Sequence, residues 1–312
     1  QAQRERLRRA WGGLLGEVEP KADPVAKLCD VRDAGGVRAE RLALEVEPNI
    51  VLPTLLMWPA GAAAVPVVVA LSQDGKGPFL RERSGSIAGL LAGGLAVCLP
   101  DVRGTGETRP DGLRARQSEA TSLSATELML GQTLLGSRRR DLRSVLRYLR
   151  GRKRTIRVAL WGESFAPTNP PGFSDPQMDG DEQPAQSEPL GGLLALFGAL
   201  YEEEVCGVVA RGTLAGYGSL LRDRYCYVPH DAVVPGALTA GDLCDVAAAL
   251  APRPLRMEGL VDGRNCPMPE PEIRRFFEPM RQAYRAAADR LLLASAASDG
   301  VAGWLIRARG DR

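Results

Sequence analysis

The sequence predicts an α/β protein, a doubly wound and mostly parallel sheet with helices on both faces. Three observations carry that expectation. Continuous or alternating apolar runs of strand length recur at residues 65–71, 95–99, 155–161, 205–210, 255–260 and 291–296, as strands buried on both faces require. Stretches with helical spacing separate them at 84–92, 126–150, 189–204, 240–250 and 271–290, and strands that alternate with helices form parallel sheets. The strand runs end in polar loops punctuated by Gly, Pro or Asp, so their chemistry-bearing side chains collect on the rim at the carboxyl ends of the strands. Gln73, Arg103, Ser164 and Asp262 all fall just past such ends.

Taken in order, residues 1–16 read as an amphipathic helix with Leu7, Trp11, Leu14 and Leu15 on one side. Residues 37–59 hold two alternating runs broken at Glu47-Pro48-Asn49, a hairpin signal. The run at 65–71 ends in the loop Ser72-Gln73-Asp74-Gly75-Lys76-Gly77, and a short helix at 84–92 stops at Gly93-Gly94. The strand at 95–99 closes on PDVRGTGE, and the long helix at 126–150 ends at Gly151. After the strand at 155–161, residues 167–189 are rich in Pro, Asp, Gly and Gln and have no periodicity. A loop of that length inside a compact domain is usually functional or disordered. A loop with short helical pieces, 212–239, carries Tyr225, Tyr227 and His230, and a closing helix at 300–309 would be capped by Ser298 or Asp299. No internal repeat is visible. The expected organisation is an N-terminal helical extension or linker over residues 1–36 and one α/β domain over 37–312, with an insertion at 167–189.

With 45% hydrophobic and 25% charged residues the chain is of ordinary globular composition, and a formal charge of +2 provides no overall field for nucleic acid or membrane. The densest basic run, residues 138–154, keeps a stripe of Leu142, Val145, Leu146 and Leu149 between its arginines. It reads as a solvated helix face rather than a nucleic-acid patch. No apolar run approaches the ~18 residues of a membrane span. The charged residues 1–10 do not form a signal peptide, although the chain could be a processed product or a module of something longer. Its compartment therefore stays open, with secretion or a periplasmic location after processing among the alternatives for a soluble protein. Six cysteines without a C-x-x-C pair make a zinc site unexpected. Cys98 and Cys206 read as core residues; Cys29, Cys226 and Cys266 lie in loop-like sequence and could pair. The Gly104–Gly106 and Gly75-Lys76 loops lack the glycines of dinucleotide and phosphate loops, so neither a cofactor nor a metal is expected.

The chemistry centres on residues 155–166, TIRVALWGESFA. An apolar strand that stops at Gly-x-Ser is what a nucleophile elbow requires, because the tight turn admits only small residues two positions either side of the serine. Gly162 and Ala166 meet that need. The turn would lift Ser164 Oγ clear of the sheet and aim the Phe165 N–H at a reacting carbonyl oxygen. A serine in an ordinary strand-to-loop turn is the alternative.

The succession of SQDGKG, AVCLPDVRGTGE, LWGESFA and APRPLRMEGLVDG resembles the α/β-hydrolase superfamily, and is most similar to its acetyl xylan esterase-like branch, over roughly residues 40–300. The resemblance implies Ser164 as nucleophile, an oxyanion hole from the Phe165 N–H and an N–H near Gln73, and Asp262 as the acid that orients the base. Two departures matter. The helix that normally begins at the nucleophile is delayed by residues 167–189, which could form a lid or merely decorate the site. The catalytic histidine expected after the last strand is missing, since that region reads SAASD. The only histidine is His230. It could serve as the base from its loop, since triads are defined by geometry rather than chain order; it could equally be a surface or packing histidine beside Asp231. Two functions follow. One is a serine esterase deacylating a small acyl ester of carbohydrate type, through Ser164, His230 and Asp262. The other is a degenerate hydrolase domain kept for binding or assembly, with a further module of the same polypeptide or a second copy as partner.

Overall fold

The computed structural model describes residues 2–110, 119–171 and 184–309. Its nine strands are β1 (Val25–Ala34), β2 (Val37–Glu47), β3 (Ile50–Pro59), β4 (Val65–Ser72), β5 (Ala96–Pro100), β6 (Thr155–Glu163), β7 (Val205–Arg211), β8 (Leu255–Glu258) and β9 (Leu291–Ala294). They form one sheet in the order β1-β2-β3-β5-β4-β6-β7-β8-β9. The first three are an antiparallel meander that joins the rest through the antiparallel pair β3–β5. From β5 to β9 every pairing is parallel. Asn49 takes the positive φ of the β2–β3 turn, a backbone region asparagine tolerates better than most residues.

Because side chains alternate across a strand, each central strand feeds two cores. On β4, Val67, Val69 and Leu71 enter one core and Val68 and Ala70 the other. The larger core is covered by α1 (Ala2–Leu15), α5 (Leu134–Gly151), α6 (Leu190–Tyr201) and α8 (Leu243–Ala248). The smaller is covered by α2 (Lys76–Glu82), α3 (Ser84–Ala92) and α11 (Val301–Ala308). Helices on both faces of a mostly parallel sheet are the architecture the sequence predicts.

Residues 1–36 contribute both α1 and β1. Leu7, Trp11 and Leu15 of α1 are fully buried, and Trp11 meets Phe197 of α6 edge-on at 4.7 Å. Strand β1, in sequence without clear alternation, pairs along β2 at the edge of the sheet.

Several expectations are corrected. The helix expected at 126–150 is two, α4 (Glu119–Met129) and α5, because Gly131 at positive φ turns the chain and Thr133 caps α5 by accepting the Gly136 N–H at 3.0 Å. The helix expected at 271–290 breaks into α9 (Glu270–Phe276), α10 (Glu278–Ala283) and a 3-10 segment, Arg285–Arg290. A proline starts α10 and Ala287 is non-helical. Gly300, at positive φ, caps α11 in place of Ser298 or Asp299. The basic run is not a solvated face. Arg138, Arg139 and Arg140 are buried in the first turns of α5. Arg138 Nε donates to the Arg103 carbonyl at 2.9 Å, Arg139 Nη1 to the Val18 carbonyl at 2.6 Å, and Arg140 Nη1 to the Glu17 carbonyl. Buried backbone carbonyls need donors, and long guanidinium arms from α5 supply them. Cys29, Cys98, Cys206, Cys226 and Cys244 are free thiols, and Cys266 is buried rather than loop-exposed.

Candidate active site

Ser72 at the end of β4 lies opposite Glu163 at the end of β6, so Gln73 and Ser164 leave the sheet side by side on adjacent central strands. Ser164 is half-buried, and its Oγ accepts the Ala166 N–H at 3.3 Å. The backbone around it is crowded. A Cβ at Gly212, which has positive φ, would stand 2.7 Å from Ser164 Cβ, and one at Gly162 would collide with the carbonyl of Gly191. Gly191 sits in the first turn of α6, and a Cβ there would strike the backbone of Leu71 and Glu163. The pair Gly162 and Gly191 therefore lets α6 dock directly beneath Ser164, although residues 167–189 separate the two in sequence. The close packing that the small residue at Gly162 anticipates is present, but Ser164 is not among the described non-glycine residues at positive φ, which are Asn49 and Asn265, so the turn lacks the strained serine backbone of a nucleophile elbow.

The N–H that the resemblance would assign to an oxyanion hole is engaged. The Phe165 N–H donates to Glu188 Oε2 at 3.0 Å, and the Ala166 N–H also reaches this carboxyl. Burial pushes the Glu188 carboxyl above its usual range; the Phe165 N–H acts in the opposite sense, and Asp74 alongside adds to the rise. Asp74 is itself paired with Arg109 at 2.6 Å. The Phe165 ring packs edge-on against Phe79 with Arg83 over its face.

His230 opens a 3-10 turn, His230–Ala232. Its ring is exposed, and Nδ1 lies 3.0 Å from Ser124 Oγ on α4. Its neighbour Asp231 is buried and accepts Arg138 Nη1 at 2.6 Å and Gln73 Nε2 at 3.4 Å. That pair of contacts ties the His230 turn to the loop beside Ser164. Asp262 organises its own turn: Oδ1 accepts the N–H groups of Arg264 and Cys266, both at 2.9 Å, and Oδ2 lies 3.4 Å from Arg264 Nη2. Among the described residues no hydrogen bond joins Ser164, His230 and Asp262 to one another. The loop after β9, where the resemblance would put a histidine, is instead drawn into an ionic cluster. Ser298 Oγ donates to Glu258, which is paired with Arg256 and Arg211, and Arg211 continues to Glu163 and Arg83.

Residues 167–171 and 184–189, the described ends of the insertion, are sewn onto the Asp262 turn. Asn169 Nδ2 donates to the carbonyls of Ala185 and Arg264 at 3.1 and 2.7 Å, and Asn265 Nδ2 to those of Pro167 and Ala185 at 2.9 and 3.1 Å. The body of the insertion, 172–183, on which the alternatives of a lid or mere decoration fall, lies outside the described residues. Sequence reasoning passed over Asn169, Asn265, Asp74 and above all Glu188. The available signal for Glu188 was its position, a lone acid just ahead of the delayed helix. Among the described residues no group of His, Cys, Asp and Glu could hold a metal.

A central parallel sheet between two helical layers, with a serine turn at the end of its middle strand and a helix docked under it, defines the α/β-hydrolase fold. No family profile and no curated protein matches the sequence. Solved structures do. A candidate acetyl xylan esterase from Bacteroides fragilis superposes with a TM-score of 0.71 at 16% identity, over 94% of this chain and 74% of that one. A CE15 glucuronoyl esterase from Teredinibacter turnerae gives 0.60 at 14% identity, over 99% and 83%. Acetyl xylan esterase 1 from a Thermoanaerobacterium species gives 0.56 at 14% identity, over 98% and 92%. At such identities the likeness defines the fold. No described helix is long and apolar enough to cross a membrane.

Proposed function

We propose that the protein is a serine esterase that removes a small acyl group from an ester, an acetylated carbohydrate being the substrate class that its structural neighbours suggest. The observation that supports this reading best is the glycine-lined turn that presents Ser164 at the end of β6 with α6 packed beneath it. In the proposed cycle Ser164 Oγ bonds to the ester carbonyl carbon while its proton passes to His230. The alcohol leaves with that proton, and water then hydrolyses the acyl-enzyme. Asp262 orients the base, and the N–H groups of Phe165 and Gln73 hold the oxyanion. The hydrogen bond from Gln73 Nε2 to Asp231 beside His230 supports this assignment, and catalytic hydrogen bonds are often long in empty sites. His230 has to leave Ser124 to act.

A second reading, a degenerate domain kept for binding or assembly with a partner module, is favoured by two observations: His230 is bonded to Ser124 and the Phe165 N–H to Glu188. A serine without a base is a weak nucleophile. Loss of a triad member costs on the order of 10⁶ in turnover, leaving ~10³–10⁴ over water. Labelling with a fluorophosphonate, together with p-nitrophenyl acetate turnover of Ser164→Ala and His230→Ala, separates the two. The esterase predicts labelling at Ser164 and loss of turnover in both variants. A folded protein that does not label overturns it in favour of the binding domain.

A further inference from the structure

The Glu188 contact deepens the esterase reading and rests on Ser164 being its nucleophile. An oxyanion hole works because its N–H donors are unspent until charge develops on the substrate oxygen. Here the donor adjacent to the nucleophile is already spent, on a carboxyl oxygen at 3.0 Å. A carboxylate resembles the oxyanion it displaces: both put negative oxygen against the same N–H. The occupant is built in, for Glu188 stands two residues before α6, at the end of the insertion, and is held there by the docking of that helix. A second carboxyl flanks it. Asp74, fixed by Arg109, adjoins it, and neighbouring carboxyls resist both being ionised. Backbone donors on one side and the Asp74 carboxyl on the other seat the group at this N–H.

We infer that Glu188 is an internal occupant of the oxyanion hole at Ser164, which a substrate must displace before its carbonyl can be polarised. This accounts for an insertion placed between nucleophile and helix: it delivers the occupant. It also makes the free protein a slower catalyst than Ser164 would otherwise be.

The test compares the wild type with Glu188→Ala and Glu188→Gln. The first reading is the rate of Ser164 labelling by a fluorophosphonate, with the site identified by peptide mass. Freeing one oxyanion donor is expected to raise the rate in Glu188→Ala by roughly 10-fold or more, since such donors are worth 10²–10³ in other hydrolases. Glu188→Gln, which keeps an acceptor without the charge, should fall between. Equal or slower labelling in folded Glu188→Ala overturns the inference. The second reading needs no chemistry: the Phe165 amide proton, followed by NMR in both folded variants, should move upfield in Glu188→Ala as the charged acceptor is lost. A Phe165 amide unmoved in Glu188→Ala overturns the inference, whatever the labelling. If no form labels but the amide moves, the occupancy stands and the nucleophile assignment falls.

Discussion

Replacing Asp231 by alanine tests whether the His230 turn is held to the rim of the sheet by charge. Arg138 is fully buried on α5 and Asp231 nearly so, and their 2.6 Å contact joins helix to turn. Truncating the acid leaves a guanidinium in the interior with only the Arg103 carbonyl on its Nε. Removing one partner of a buried ion pair costs ~3–5 kcal/mol, because the surviving charge stays desolvated. For a large domain each kcal/mol lowers the melting temperature by roughly 2–4 °C, so Asp231→Ala should melt about 6–20 °C below wild type. Replacing both partners, as in Arg138→Met with Asp231→Leu, removes both charges and should cost much less than the single variant. Thermal melts followed by circular dichroism, completed as a double-mutant cycle, measure the coupling. A loss below about 1 kcal/mol in Asp231→Ala, or a double variant no better than the single, would refute the account.

Other outcomes follow from the same geometry. Gly162→Ala should destabilise by at least ~1–3 kcal/mol in urea titrations, because its Cβ meets the Gly191 backbone, which cannot swing aside. Trp11→Ala should cost ~3–5 kcal/mol, as befits a core side chain rather than part of a loose leader. Glu188→Gln should gain stability relative to wild type as pH rises. A carboxyl raised by burial contributes stability while protonated and loses it as pH climbs through the folded-state value; melting temperatures of both proteins from pH 4 to 8 check the sign, and a constant difference contradicts it.

The strands were the most legible part of the chain. β4, β6 and β7 are apolar runs whose ends Gly, Ser and Asp punctuate, and burial on both faces leaves a strong signal. β1 left a faint one, because it lies at an edge with most of its side chains in solvent, where no core dictates alternation. The long helices were misread where a cap or a proline divides a continuous apolar stripe, as at Thr133 and at Pro279. The arginines of α5 were misread for a different reason. Sequence shows that a residue is charged, not that a distant carbonyl stands ready to receive it. At the site, the local turn at Ser164 could be read from spacing, since a tight turn constrains its immediate neighbours. Glu188, Asn169 and Asn265 act on residues about 20 to 100 positions away, which only the folded path brings near.

The seam made by Asn169 and Asn265 has one more consequence. The chain leaves the rim after Asn169 and returns at Ala185 within a hydrogen bond of where it left. The two ends of the insertion are thus pinned to each other and, through Asn265, to the Asp262 turn. A graft that respects those two points would keep every one of these anchoring hydrogen bonds.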